Sequence, residues 1–218
     1  MKKKILLNVV AKKDFLYQKK SIHFGWKSDI SNGIVFQNSN LGVTLYYFAV
    51  LNEHNSFEYD TFGIEERAHN CVSVVVNQDG NIGLLKEYRF MPERYFISCP
   101  RGFADSDEEN RVKCSLREIE EEIGEYQLIE SIDLGDLYQN TTFFITPIGV
   151  RLVKINISET KKLTELQKAE DINGVSFYSI EDTKNMIRNG KIVCGITLAA
   201  LAKYFSYIED KRVIEHFD

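Results

Sequence analysis

Several features that mark particular protein classes are scarce in this sequence. Proline occurs three times and tryptophan once in 218 residues, which leaves no room for a polyproline linker. No stretch reaches the roughly 18 consecutive apolar residues that a membrane-spanning helix requires, so no membrane partner is expected. Basic residues do not predominate, since 27 Lys and Arg face 32 Asp and Glu for a net charge of −5. That balance creates no general attraction for nucleic acid or an anionic surface, and an anionic substrate would need local cations or a bound metal. The four cysteines, Cys71, Cys99, Cys114 and Cys194, have no CxxC spacing, and His69 beside Cys71 does not complete a zinc pattern. A reducing cytoplasm is the simplest setting for them. The start, "MKKKILLNVVAKKDF", has basic residues and a short apolar run, but Asn8 interrupts the run and Lys12 and Lys13 stop it. Without a small-residue cleavage site, no signal peptide is expected.

What is present is ordinary globular material. Apolar residues make up 44% and charged ones 27%, enough to bury a core and to argue against extensive disorder. There is no internal repeat and no low-complexity linker. The first 65 or so residues are rich in aromatic and β-branched residues, and "GIVFQ", "VTLYYFAVL" and "SFEYDTF" read as strands between Asn- and Gly-containing turns. "CVSVVV" and "IGLLKEYRF" flank an Asp79-Gly80 turn in a hairpin pattern, and "YFIS" makes a short strand ahead of Pro100. Further strands are expected around "SIDLGDLYQ" and "TFFITPIGVRLVKI", then a charged loop through "SETKKLTELQKAED". Two helices close the chain, "IEDTKNMIRNG", with Gly190 suited to its end, and "ITLAALAKYFSYI". Mixed strands with helices between them predict an α+β fold, a sheet covered by helices on its faces.

The stretch between Asp105 and Glu125 holds nine acidic residues. On a helical wheel with Glu118 at zero, Val112, Leu116, Ile119 and Ile123 fall between roughly 100° and 160°, an apolar stripe that predicts a core face. Glu118, Glu121 and Glu122 fall at about 0°, 300° and 40°, while Glu120 lies near 200°. Like charges at these spacings repel by about a few tenths of a kcal/mol per pair. A divalent cation would neutralise them, and Arg117 can pair with Glu121 one turn on. Cys114 and Ser115, both small, are expected to leave room on this side for an ion and substrate. The residues alone leave two readings: a solvated acidic face, or a metal-binding edge.

From Arg117 the chain runs Arg-Glu-Ile-Glu-Glu-Glu-Ile-Gly-Glu, and Glu109 lies eight positions earlier. This order resembles the Nudix box, a Gly, five residues, Glu, seven residues, then Arg-Glu-apolar-x-Glu-Glu-x-Gly-apolar. Glu109, Arg117, Glu118, Ile119, Glu121, Glu122 and Gly124 match. Gly102 stands seven rather than six positions before Glu109, and Glu125 replaces the last apolar residue. "LLKEYRF", "CPRGF" and "GKIVCGITLAAL" are similar to segments of the ADP-ribose and ADP-sugar pyrophosphatase branch, which also carries a β-rich N-terminal extension. Ser98 stands where that branch commonly has a glutamate.

The resemblance implies a Nudix-like α/β/α sandwich with a mixed sheet over residues 66–218, behind a β-rich section over 1–65 that serves dimerisation or substrate contacts. It implies hydrolysis of a nucleoside diphosphate linked to another moiety, ADP-ribose or a related nucleotide sugar, by a homodimer using Mg²⁺ or Mn²⁺. Glu118, Glu121 and Glu122 are the implied metal ligands, and Arg117, Glu121, Glu122 and Glu170 the implied catalytic set. Arg89, Arg101 and Gly102 are the implied substrate contacts, the two arginines because a guanidinium matches phosphate oxygens bidentately. Two alternatives stand beside this: a non-catalytic nucleotide-binding regulator, and a hydrolase of other substrates such as dinucleotide polyphosphates.

Overall fold

The computed structural model describes residues 21–23, 26–28, 34–38, 42–51, 57–66, 69–106, 108–157 and 172–215. The chain divides into two compact units, one formed by Met1–Arg67 with Asn140–Thr146 and the other by Ala68–Gln139 with Pro147–Asp218.

The first unit contains an antiparallel sheet of β1 (Ser21–His23), β2 (Trp26–Ser28), β3 (Ile34–Asn38), β4 (Val43–Leu51) and β5 (Phe57–Glu66). Strand β4 is central, pairing with β2, β3 and β5. Its aromatic and β-branched run, "VTLYYFAVL", fits that position. The 140–146 segment belongs to this unit although it lies far along the chain. Ile64 N–H donates to the Phe143 carbonyl at 2.6 Å and Ile145 N–H to the Ile64 carbonyl at 2.9 Å, and the Phe62 and Phe143 rings stack with centroids 4.6 Å apart.

The second unit is built on a seven-stranded mixed sheet. Its members are β6 (Cys71–Val76), β7 (Ile82–Arg89), β8 (Arg94–Ser98), β9 (Arg101–Gly102), β10 (Gln127–Leu137), β11 (Ile148–Asn156) and β12 (Ile172–Tyr178). Strand β6 runs parallel to β11 and antiparallel to β7 and β9. All six residues of β6 are buried, as expected for a strand covered on both faces. The hairpin from β6 to β7 turns at Gly80, whose φ of 78° favours glycine.

Among the described residues, three helices cover the sheet: α1 (Arg111–Ile123), α2 (Ile180–Arg188) and α3 (Gly195–Glu215). Alternation along the strands divides the core between the two faces. Val72, Val74, Ile82, Leu84 and Leu152 pack with Met186, Ile192, Ala200 and Leu201 on the α2 and α3 side. Val75, Leu85, Val153 and Ile155 pack with Ile119 and Ile123 of α1 on the other. The architecture is therefore the expected α+β sandwich, with α1 on one face and α2 and α3 on the other among the described helices. None of the described helices is long and apolar enough to cross a membrane.

Candidate active site

Helix α1 begins at Asn110, whose side chain accepts hydrogen bonds from the Val112 and Lys113 backbone N–H groups. It ends at Gly124, with φ 103° and its N–H donating to the Glu120 carbonyl. Ile119 and Ile123 are buried and Leu116 packs beside them. Val112, expected in the same stripe, is 39% exposed. It lies in the first turn, beyond the apolar residues of the sheet that cover the later turns.

The opposite edge of this face also differs from expectation. Cys114 and Ser115 do not leave open room, because both are fully buried against β6. The Cys114 Sγ lies 3.2 Å from Cys71 Sγ, and the Ser115 hydroxyl hydrogen-bonds to that of Ser73 at 2.7 Å. The inward-facing arc of α1 thus runs from buried Cys114 through half-buried Glu118 to buried Glu122, Ser115, Ile119 and Ile123. The wheel placed the carboxylates beside the core stripe. The structure turns two of them toward the sheet.

Strand β9 makes that possible. Gly102 lies opposite Cys71 in the ladder, and a Cβ built on Gly102 would stand 1.9 Å from the Glu118 carboxyl carbon. Only the absence of a side chain there lets Glu118 lie where it does. Beside it, the Arg101 backbone N–H hydrogen-bonds to the Glu122 carboxylate. Glu122 is 6% exposed. Burial pushes its pKa well above the ordinary value, the charges of Glu118 and Glu87 add to this, and the Arg101 N–H and the Arg89 charge offset part of it.

Arg117 gathers the other acids. It reaches Glu109 at 3.0 Å, Glu118 at 2.8 Å and Glu121 at 3.0 Å, and it donates to the Phe103 carbonyl at 2.8 Å. The pairing of Arg117 with Glu121 is the one expected from their spacing. Glu109 has a pKa lowered chiefly by its hydrogen bond to Arg117. Burial alone would lower the pKa of Arg117, but its acidic neighbours raise it instead. The extra residue between Gly102 and Glu109 does not separate Glu109 from the helix, because the Asp105 N–H also donates to Glu109, at 2.7 Å. Glu120 is exposed, as the wheel indicated.

The structure therefore brings together Gly102, the backbone of Arg101, Arg117, Glu118, Glu121 and Glu122, with Arg89 near enough to act electrostatically on Glu122. Glu170 lies outside the described residues, as does most of the charged loop around it. Phe90 is 74% exposed and packs edge-on against Tyr88. Sequence reasoning passed over Glu87, a buried carboxylate on β7. A charged residue inside the apolar pattern of "IGLLKEYR" is the signal that could have found it.

Among the described residues, no three or more His, Cys, Asp or Glu side chains are arranged to hold a metal ion. Arg117 occupies Glu118 and Glu121 instead. The donor chemistry nevertheless fits a hard divalent cation, since carboxylate oxygens are its preferred ligands. The charges of Glu118 and Glu87 that burden Glu122 are also ones a cation would offset.

Comparison with known proteins bears on this arrangement. A search of curated proteins finds no match. Among solved structures, the chain is similar to one titled "Crystal structure of ADP compounds hydrolase", with a TM-score of 0.64 and 14% identity. The match covers 90% of this chain and 98% of that one, and at such identity it shows the shared fold. The NUDIX domain model matches residues 67–194, a span holding the whole of β6 to β12, α1 and α2. Metal-dependent hydrolysis of phosphoanhydrides is the general chemistry of this family. The chain belongs to the NUDIX domain family.

Proposed function

We propose that the chain hydrolyses the diphosphate linkage of ADP-ribose or a related nucleotide sugar, releasing a nucleoside monophosphate and a sugar phosphate. The observation that carries this reading is the fit of the Glu118 carboxylate over Gly102. It sets Glu118 beside Glu122, whose carboxylate meets the Arg101 backbone N–H and lies within reach of the Arg89 charge. The printed title of the similar structure, a hydrolase of ADP compounds, agrees with it.

Glu118, Glu121 and Glu122 would hold Mg²⁺ or Mn²⁺. When bound, the ion supplies charge neutralisation at the phosphate oxygens and acidifies the attacking water. Arg89 and Arg101 bind and orient the diphosphate, and Gly102 keeps the backbone close to it. Arg117 holds Glu121 and Glu118 in place between turnovers. Glu170, or one of Glu121 and Glu122, takes the proton from water. We assign catalysis to residues 66–218 and assign dimerisation and further substrate contacts to residues 1–65. The working enzyme is a cytoplasmic homodimer that binds neither nucleic acid nor membrane.

A panel of nucleoside diphosphate compounds and dinucleotide polyphosphates, incubated with Mg²⁺ or Mn²⁺ and read by product identity, tests the reading. AMP and ribose 5-phosphate from ADP-ribose are expected, and Glu122→Gln should lose most of the rate with the fold retained. Tight binding without turnover across the panel would replace the enzyme with a regulator. Preferential cleavage of dinucleotide polyphosphates would move the substrate class.

A further inference from the structure

Strand β7 carries a buried carboxylate, Glu87, that the function above does not use. Leu85 points to the α1 face, where it packs with Ile119 and Ile123. By the two-residue period of a strand, Glu87 and Arg89 follow on the same face. Glu87 is 5% exposed, where an apolar residue would simply have extended the core. Its Oε1 accepts a hydrogen bond from the Ser98 hydroxyl on β8 at 2.6 Å and another from the Arg89 guanidinium. Ser98 faces the same way, because it stands opposite Leu85 in the ladder.

An ion pair between a buried carboxylate and a part-exposed guanidinium is weak evidence for stability, since solvent screens the exposed partner and well-packed apolar residues could replace the buried one. The position of the pair says more. Glu87 and Arg89 both act electrostatically on Glu122, so they stand at the edge of the carboxylate site. Glu87 takes one end of the Arg89 guanidinium. The Nε of Arg89 is buried and makes no hydrogen bond among the described residues. A buried donor without an acceptor is costly and uncommon in a folded protein. A phosphate oxygen is the acceptor that such a donor matches.

We propose that Glu87, itself fixed by Ser98, is a positioning residue that sets the Arg89 guanidinium to receive a phosphate oxygen of the nucleoside diphosphate. This rests on the reading of the site given above. Glu87 does not touch substrate. It restricts the guanidinium to one orientation, so less rotamer freedom is lost when phosphate binds, and the Ser98 hydroxyl holds Glu87 in turn.

The test is a double-mutant cycle in the full chain, measured with ADP-ribose and Mg²⁺. Glu87→Gln should raise KM about tenfold while kcat changes far less, the pattern of lost uniform binding. Ser98→Ala should do the same to a smaller extent, and it serves if Glu87→Gln fails to fold. In an Arg89→Ala background, which itself raises KM, neither change should raise it further. A merely structural role would leave the two effects independent. A wild-type KM in both variants, or an undiminished effect in the Arg89→Ala background, would overturn the proposal. Calorimetric titration with ADP reads the same coupling without turnover. A chain that binds ADP with this coupling but cleaves nothing would overturn the proposed hydrolysis and leave the role of Glu87 standing. A wild-type chain that neither binds ADP nor cleaves ADP-ribose would overturn both.

Discussion

Gly102 and Glu118 share one space: the carboxyl carbon of Glu118 lies 1.9 Å from where a Cβ on residue 102 would be. The strand residue and the helix residue are thus matched, one by having no side chain and the other by reaching into the gap. Gly102 has no left-handed backbone to maintain, so alanine is compatible with the chain there. The atoms it would displace are the far end of a flexible side chain.

Gly102→Ala should therefore separate activity from stability. The melting temperature is expected to stay within a few degrees of wild type, because a compatible Gly→Ala change gains about 0.4–1 kcal/mol through the unfolded state. Hydrolysis should fall by about tenfold or more, since misplacing a group at a reacting centre by about 1 Å costs up to 100-fold. Unchanged hydrolysis would mean that Glu118 works from another position.

Glu109 supports the site from outside it. Its hydrogen bond to Arg117 holds its pKa below the ordinary carboxylate value. A lowered folded pKa means that Glu109 contributes its stability fully above the unfolded value, about 4.3, and loses it as pH falls through the lower folded value. Urea midpoints of wild type and Glu109→Gln should therefore differ at pH 7 and converge as the pH drops toward and below 4. A constant gap across that range would show that the Arg117 contact is not electrostatic.

How much of this was legible in the sequence depends on the distance over which each feature is set. The α1 stripe, the hairpin turn at Gly80 and the pairing of Arg117 with Glu121 are local, and periodicity or spacing alone predicts them. The direction of Glu118 and Glu122 is not local. A wheel shows that they stand beside Ile119, but only the placement of β9 shows that they turn inward against Gly102 and the Arg101 backbone. Cys114 and Ser115 differ from expectation for the same reason, since their partners Cys71 and Ser73 lie more than 40 residues away. The membership of 140–146 in the first unit follows from pairing with Ile64, which no window along the chain reveals.

The misplaced end of the apolar stripe can be measured directly. Ile119→Ala should cost about 2–5 kcal/mol, the usual result of emptying a packed site, because Ile119 is fully buried between Val75, Leu85 and Val153. Val112→Ala should change stability by no more than about 0.5 kcal/mol, as for an ordinary surface position. Denaturant midpoints of the two variants check this. A large loss at Val112 would mean that the first turn of α1 is covered after all.

The thiols report on whether α1 lies against β6 in solution. Cys71, Cys99 and Cys114 are buried, and Cys194 is half-buried. The Cys71 thiol is pushed up first by its contact with Cys114 and then by burial, and that of Cys99 mainly by burial. Both are therefore poor nucleophiles at neutral pH. The 3.2 Å between Cys71 and Cys114 sulfurs is a contact and not a bond, since a disulfide measures about 2.05 Å. An aromatic disulfide reagent should label Cys194 alone in the native protein and all four cysteines after denaturation without reductant. Two thiols missing from the denatured count would reveal a Cys71–Cys114 crosslink. Rapid native labelling of Cys114 would show that the helix lifts from the strand, taking Glu118 away from Gly102 with it.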